Sequence, residues 1–459
     1  MASTGRVLDI ARRAMAAQQV AMDTVGHNIA NVNTEGYSRQ RVSLTPSEPT
    51  FTANGFIGQG VTVESIHRVH DSFVERQIRS EYQSLEQWNN RETFLTELES
   101  IYNEPSDTGL SALMSDFWDS WSALSADPQN GSARETVRQV GKHVSSTLNS
   151  LYKRLEDFQS DLDEELKVKI TEANSYLRQI GNLNNNIIAS ENNGGTANEY
   201  RDRRDQAIKE LSGLLNIQTV QRDDGQVTVT LGGQILVERN QVYELGIDEV
   251  SNGESVVSVP TWSKNGEPIE IRNGEIYSIL QIRDEDIQDE FENIDAIAMA
   301  LVETINSVHE TGYGSDGTTG NQFFDASTTG ARDIALDDNV LSDLSKIAAS
   351  NNGDLGDGSI ALSIAQLQEE KVMSNGTQTI DDYYASSIGN LGVRAKEARY
   401  MRENQEMMVQ QLENQKAAVS GVSLDEEMTL MMQYQTAYQA AARLINTINE
   451  MMDTIIQMV

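Results

Sequence analysis

The side chains that most often carry catalysis or bind metals are few in this sequence and lie at unsuitable spacings. The histidines are His27, His67, His70, His143 and His309. His67 and His70 could lie near each other, but no third ligand follows at a metal-binding spacing. The chain has no cysteine, which excludes disulfides, thiolate zinc sites and cysteine nucleophiles. We therefore expect no metal site.

Three other segments only partly resemble ligand-binding motifs. The glycine-rich stretch 55–60 is not followed by a helix and lacks the order of a dinucleotide fingerprint, so it predicts turns. The loops 312–320 and 351–358 are rich in Asp, Asn and Gly but lack the ligand pattern of a calcium loop. The acidic run 284–292 is typical of a helix start, because the helix macrodipole favours carboxylates there. The sequence predicts no catalytic residue, no cofactor and no enzyme activity.

Length and charge narrow the class of protein further. The 459 residues carry a formal net charge of −35, and the length suggests several domains. A chain this acidic repels phosphate backbones and anionic membrane surfaces. We therefore expect neither nucleic acid nor membrane as a partner. The longest apolar runs are too short for a transmembrane helix. Asp9, Arg12 and Arg13 interrupt the apolar stretch that a secretory signal would need.

The elements that would position any site are mostly helices. Proline disrupts helix interiors, and no proline lies between 128 and 260 or after 268. Apolar residues at a spacing of three and four predict helices at 6–31, 71–102, 109–125, 132–190, 198–215, 284–310, 359–372 and 379 to the end, with an interruption near 420. Short strands are predicted at 41–44 and 60–63.

Between 216 and 282 the apolar period changes from about 3.6 to two. Gly232-Gly233 is a two-residue hairpin signal, and strand-like pieces continue to about 282. We predict a mainly α, elongated multidomain chain with an inserted small β domain.

The C-terminal helix has two neighbouring apolar seams. The first begins at Leu424 and is apolar at nine of eleven positions. The second seam is apolar at every position: Leu430, Tyr434, Ala437, Ala441, Leu444, Ile448, Met451, Ile455 and Met458. A helix with two adjacent seams must contact at least two neighbours. The pattern leaves open whether these neighbours form a three-helix core within one monomer or belong to other subunits.

One segment near the N-terminus reads as a family signature. It comprises Asn28, Ile29, Ala30, Asn31, Asn33, Thr34, Gly36, Tyr37, Ser38, Arg39 and Gln40. The segment closely resembles the N-terminal motif of the bacterial flagellar axial proteins, which include rod, hook and hook-associated proteins. Its last four residues resemble specifically the hook-associated proteins of the first hook–filament junction. Further stretches match the same pattern at 56–73, 200–212 and 420–438, whereas Glu35 stands where the family often has proline.

The resemblance implies a layout in three parts. Residues 1–35 and 422–459 would pair as terminal helices into a coiled-coil-like inner domain. Residues 36–215 and 283–421 would form a helical middle domain, and 216–282 an outer β domain. The implied function is a structural subunit of the flagellum that joins hook to filament and allows filament assembly. The alternative is another axial protein, namely the second junction protein or a hook or rod subunit. A wall hydrolase would need a catalytic domain with a convincing site.

The resemblance also implies partners and a location. The expected partners are like subunits in a ring, the hook protein, the second hook–filament junction protein and the export chaperone FlgN. The chaperone would bind the C-terminal helix, because an exposed helix so rich in apolar residues needs masking before assembly. Export would proceed through the flagellar type III apparatus, without a cleavable signal peptide, to an extracellular position. Isolated helices are marginal in water, so we expect disordered ends in the isolated, monomeric protein.

Overall fold

The computed structural model describes residues 2–52, 55–192, 194–222, 224–251 and 256–457. Most of these residues are helical. The helices are α1 (Ala2–Ala30), α2 (Ser72–Tyr102), α3 (Leu110–Ala126), α4 (Gly131–Glu191), α5 (Asn198–Leu214), α6 (Glu275–Gln281), α7 (Ile287–His309), α8 (Asp338–Ser342), α9 (Ser359–Gln366), α10 (Ile380–Ser420) and α11 (Leu424–Gln457). The mainly α fold class is thereby confirmed.

The strands form small antiparallel sheets. They are β1 (Gln40–Pro46), β2 (Thr50–Thr52), β3 (Gly55–Ile57), β4 (Val61–Arg68), β5 (Ile217–Gln221), β6 (Val227–Leu231), β7 (Gln234–Glu238), β8 (Gln241–Val242), β9 (Leu245–Ser251) and β10 (Val256–Trp262). Strand β1 pairs with β4, β2 with β3, and β9 with β10, while β5 to β8 form a four-stranded sheet in sequential order. The turns predicted for the glycine-rich stretch 55–60 are not found there: residues 55–57 form β3, and 58–60 are an irregular connection to β4.

Helix α4 is the long axis of the middle of the chain. Its 61 residues span about 90 Å at a rise of 1.5 Å per residue. Asn130 caps its first turn, because the side-chain oxygen accepts from the backbone N–H of Ser132 at 2.9 Å. The helix buries one continuous face from Val137 to Ile187. The predicted amphipathic helix over 132–190 is confirmed.

Helices α2 and α10 form a second, antiparallel axis beside α4. Glu75 near the start of α2 binds Lys416 near the end of α10 at 2.7 Å. At the opposite end, Tyr102 and Tyr384 place their ring centroids 6.4 Å apart. Helix α10 therefore runs back along α2 and ends shortly before α11 begins.

The core of the middle region is aromatic where α3 meets α7. Trp121 is fully buried and its ring centroid lies 5.1 Å from that of Phe323. His309 at the end of α7 lies in the same cluster. Its Nε2 accepts from the N–H of Ala348 at 2.8 Å, so Nδ1 carries the proton and donates to the carbonyl of Asn321 at 2.8 Å. Burial lowers the pKa of His309 to about 4. This histidine is a structural core residue.

The β segment is fastened to α4 by buried amides. The side chain of Asn174 donates to the carbonyl of Leu245 at 2.9 Å and accepts from its N–H at 2.8 Å. Asn184 donates to the carbonyl of Val227 at 2.9 Å. Gly232 and Gly233 adopt positive φ values of 57° and 84°, as the hairpin signal predicts. The division of the chain into three domains remains a prediction.

Two sequence-based expectations about residues 275–292 are wrong. The strand-like pieces do not continue to 282, because residues 275–281 form α6. Ile276, Ile279 and Ile282 repeat every three residues and are all buried, which is a helical spacing that the β-branched composition masks. The acidic run is also not a helix start, because a π-helical turn at Ile282–Asp286 joins α6 to α7 without a break.

Within the acidic run, two carboxylates are buried and have partners. Asp286 lies 2.9 Å from Nη1 of Arg394, and Glu290 accepts from the hydroxyl of Tyr102 at 2.7 Å. The run therefore joins α2, α7 and α10, a role that the macrodipole argument did not predict.

Candidate functional site

The family-like motif begins in the last turns of α1 and continues into the turn that follows. Asn31 donates to the carbonyl of His27 at 2.9 Å, and the Thr34 hydroxyl donates to Asn31 at 3.2 Å. Gly36 has a φ of +75°, and a Cβ there would lie 3.3 Å from the side chain of Gln206. Both the backbone conformation and the close approach to α5 favour glycine. Ile29 is half-buried, whereas Ala30 and Asn33 are exposed.

Asn28 is the centre of the motif and is only 1% exposed. Its side-chain nitrogen donates to the carbonyl of Gln40 and to Oε2 of Glu427, each at 2.9 Å. Its side-chain oxygen accepts from the Tyr37 hydroxyl at 2.8 Å and from the Gln40 N–H at 2.9 Å. All four hydrogen bonds that an amide side chain can make are therefore formed. Asn28 fixes the turn to α1 and α1 to α11.

Arg39 joins the same turn to the beginning of α11. Its Nε donates to Oε1 of Glu427 at 2.6 Å, and its Nη1 donates to Oε2 of Glu426 at 2.7 Å. Its backbone N–H donates to the carbonyl of Ser420 at 3.0 Å. Burial lowers the pKa of Arg39, but the two glutamates more than offset it and the net pKa is raised. Glu427 is fully buried, so removal of these partners would leave buried oxygens without hydrogen-bond donors.

The motif also contacts α5. The Ser38 N–H donates to Oδ2 of Asp202 at 3.0 Å, and Arg68 of β4 holds Oδ1 of the same carboxylate at 2.8 Å. Burial raises the pKa of Asp202, although the hydrogen bond from Arg68 acts in the opposite direction. The side chain of Gln40 donates to Glu199 at 3.1 Å. The turn is therefore tied to both α5 and β4.

These contacts bring together three stretches that the sequence shows only as separate matches. Residues 28–40, 199–205 and 420–427 meet in one buried polar junction, which we call the terminal junction. Asp202, Arg68 and Glu427 were missed as site residues. Glu427 had a usable signal, because it lies four residues before Met431 and seven before Tyr434, on the face of α11 that the structure buries. The contact itself spans 399 residues, which no local pattern reveals.

The predicted seam residues of α11 divide between a face that contacts α1 and one that does not. The two helices pack antiparallel, with Asn28 of α1 beside Glu427 of α11. Leu430, Tyr434 and Ala441 are half-buried and Ile448 is buried, whereas Ala437, Leu444 and Met451 are exposed. The side chain of Ile455 and the whole of Met458 lie outside the described residues. Helix α1 thus lies between the two seams and covers only the inner edge of each.

The side chains of the terminal junction are suited to holding segments of the chain together. The carboxylates of the junction accept hydrogen bonds from arginines, from the side chains of Asn28 and Gln40, and from a backbone N–H group. Among the residues that the structure describes, no group of three or more His, Asp or Glu side chains could hold a metal ion. No helix in the same residues is long and apolar enough to cross a membrane.

The chain matches known families along most of its length. Residues 95–324 match the flagellar hook-associated protein FlgK helical domain. Residues 414–458 match the flagellar basal body rod FlgEFG protein C-terminal family, and residues 8–37 match the flagella basal body rod protein family. The two ends, which contain α1 and α11, therefore match rod-protein families, and the middle matches the FlgK helical domain.

Whole proteins and a solved structure also match the chain over most of its length. The chain is 31% identical over 499 residues to flagellar hook-associated protein 1 of Bacillus subtilis, covering 99% of this chain and 98% of the relative. It is 24% identical to the Escherichia coli protein of the same name, covering 96% and 97%. The structure of the flagellar hook junction protein FlgK from Burkholderia pseudomallei matches with a TM-score of 0.68 at 15% identity, covering 75% of this chain and 100% of that one.

Paired terminal helices, attached through a buried junction to a long helical middle, define a structural protein of the flagellar axis. Within that class, the chain belongs to the family of flagellar hook-associated protein 1, or FlgK.

Proposed function

We propose that this protein is the subunit that joins the hook to the filament and on which filament assembly proceeds. The observation that carries the proposal is the terminal helix pair, which is anchored to the middle of the chain yet incompletely covered. Leu444 and Met451 are 42% and 52% exposed on one side of α11, and Met428 and Met432 are 60% and 59% exposed on another. Apolar side chains aligned along two edges of one helix are typical of a surface that other subunits cover.

The partners follow from this surface and from family membership. Copies of the same chain in a ring would cover the exposed edges of α11, with the hook protein below and the second hook–filament junction protein above. Before assembly, the export chaperone FlgN would mask α11. Export through the flagellar type III apparatus would place the protein outside the cell. We expect no catalytic activity, because the buried charged side chains of the terminal junction are occupied in holding three segments together.

A second candidate is another axial role, as a hook or rod subunit. The matches of residues 8–37 and 414–458 to rod families favour it, but these matches cover only the ends.

Deletion of the gene in its host distinguishes the two roles, with negative-stain microscopy as the readout. A junction role predicts hooks of normal appearance without filaments, and filament protein released into the medium. Cells without hooks would indicate a rod or hook role, and normal filaments would contradict both. Complementation with the intact gene is the control.

A further inference from the structure

A cleft beside the terminal junction carries an excess of positive charge in a strongly acidic protein. It lies between the start of α2, α5 and the β5–β6 sheet, and encloses about 60 Å³. For comparison, a cavity of only about 10–15 Å³ is enough for a single water molecule. Four arginines line the cleft, against two carboxylates: Arg68, Arg76, Arg79, Arg204, Glu75 and Asp205. The net charge of +2 among these residues contrasts with −35 for the whole chain.

Each carboxylate of the cleft forms its shortest ion pair with a residue other than Arg76, Arg79 or Arg204. Asp205 binds Nη2 of Arg68 at 2.6 Å, and Glu75 binds Lys416 at 2.7 Å. Glu75 reaches Arg79 only at 4.0 Å. Arg76 is exposed and makes no ion pair with any residue in the described ranges. The lining carboxylates therefore leave part of the positive charge unbalanced.

Arg204 supplies an independent observation. It is 1% exposed, and its Nη1 donates to the carbonyl of Gly225 at 2.7 Å. Its Nε, however, has no hydrogen-bond acceptor among the described residues and lies 3.9 Å from Asp205. Burial lowers the pKa of Arg204 to about 10; the nearby Asp205 acts in the opposite direction, and repulsion from Arg201 and Arg68 adds to the decrease. A buried guanidinium N–H without an acceptor is costly, and native structures usually satisfy it.

We propose that this cleft binds an oxyanion, held by Arg76 and Arg79 with Arg204 behind them. Guanidinium groups donate paired hydrogen bonds to carboxylate and phosphate oxygens, and several of them around one small cavity favour an anion with more than one oxygen. Two sources share this chemistry. One is a free anion such as phosphate, and the other is a carboxylate presented by a second copy of this acidic chain. The second source rests on the proposed function.

The test compares the full-length protein with Arg76→Gln, Arg79→Gln and the control Arg332→Gln. Arg332 has a side chain 66% exposed and lies outside the cleft. The first arm measures melting temperatures in sodium phosphate and in sodium chloride at equal ionic strength. Phosphate at about ten times its dissociation constant should raise the melting temperature of the unaltered chain and the control by roughly 1–2 °C. Each cleft variant should weaken phosphate binding by about tenfold or more and lose most of this rise.

The second arm measures assembly onto purified hooks by sedimentation. Loss of the phosphate effect alone identifies a free anion, and loss of assembly alone identifies a carboxylate from a neighbouring copy. The proposal is overturned if both cleft variants match Arg332→Gln in both arms. If the unaltered chain does not assemble, the proposed function fails, and the melting arm still decides the cleft. Melting in chloride shows whether each variant is folded.

Discussion

The terminal helix pair and the middle of the chain are both helical, but they are held together by different means. In the middle, one contiguous buried core extends from Leu95 to Ala398 and includes large side chains such as Trp118 and Trp121. No described side chain of α1 or α11 belongs to that core. The buried apolar residues of the terminal pair are few and mostly small: Ala11, Ala17, Ala21, Val25 and Ile448.

The difference follows from how much apolar area each region buries. A fully buried Leu, Ile or Phe contributes about 1.5–3 kcal/mol, and alanine contributes much less. The middle has dozens of such large side chains, so it can fold without help. Among its described side chains, the terminal pair has Ile448, Val25, three buried alanines and the buried charges of the terminal junction. We infer that the middle is stable in the monomer, whereas the ends reach full stability only when other subunits cover α11.

The largest effect should appear in amide hydrogen exchange of the dilute monomer. Amides of α1 and α11 should open at about 0–3 kcal/mol, whereas the buried face of α4 should approach the global value of about 5–15 kcal/mol. Exchange measured residue by residue by mass spectrometry or NMR checks this. Protection in α11 equal to that in α4 would favour a self-sufficient monomer core over an assembly surface.

Next in size is Ile448→Asp, which should abolish assembly and leave the middle folded. Ile448 is 4% exposed, so the change removes about 2 kcal/mol of burial and adds several kcal/mol for an unpaired buried carboxylate. Motility and thermal melting are the readouts.

The matched control for Ile448→Asp is Thr447→Asp. Thr447 is exposed and its hydroxyl donates to the carbonyl of Arg443 at 3.0 Å, so this change should be far milder. Equal loss of motility in the two variants would show that the apolar face of α11 is not what assembly requires.

The contrast between the regions also explains how far sequence alone could predict the structure. The proline-free tracts and three-four spacing of the middle placed α4 and α10 closely, because a helix that buries one face shows its period directly. The segment with Ile276 and Ile279 was misassigned, because short apolar runs rich in β-branched residues fit either element. The resemblance implied that the terminal helices pair, but no local pattern shows that Asn28 and Glu427 are the polar residues that meet there.

A smaller effect is the dependence on pH of the stability of the middle. His309 has a pKa of about 4 in the folded chain and 6.5 ordinarily, so the unfolded chain binds an extra proton between these values. The contribution of His309 to the free energy of unfolding should therefore be fully present above pH 6.5. It should fall by about 3 kcal/mol as the pH drops to 4. Asp286 and Glu290 oppose this, because burial raises their pKa values.

Comparison of His309→Gln with the unaltered chain isolates the histidine. Urea unfolding at several pH values, followed by tryptophan fluorescence of the middle core, should show a weaker pH dependence in this variant between pH 6.5 and 4. His143→Gln is the control, because His143 is exposed on α4. An unchanged pH dependence in His309→Gln would exclude His309 as the source.

The smallest effect tests whether the terminal junction, and not apolar burial alone, holds the ends. Glu427→Gln keeps the shape of the side chain but offers one acceptor oxygen where Arg39 and Asn28 now use two. One of these donors must face an amide N–H, and Arg39 keeps only Glu426 as a charged partner. The loss should be about 1–3 kcal/mol.

Glu426→Gln is the natural control for this change. Glu426 binds the same guanidinium at 2.7 Å, but its side chain is 62% exposed, and exposed ion pairs contribute about 0–1 kcal/mol. Global melting is insensitive to either change because the middle dominates it, so the measurement is the opening free energy of amides at the end of α1 and the start of α11. A larger loss in Glu427→Gln than in Glu426→Gln would show that burial gives the junction its strength. Equal losses would show that burial does not strengthen the contact of Glu427, and no loss in either variant would mean that apolar contacts alone hold the ends.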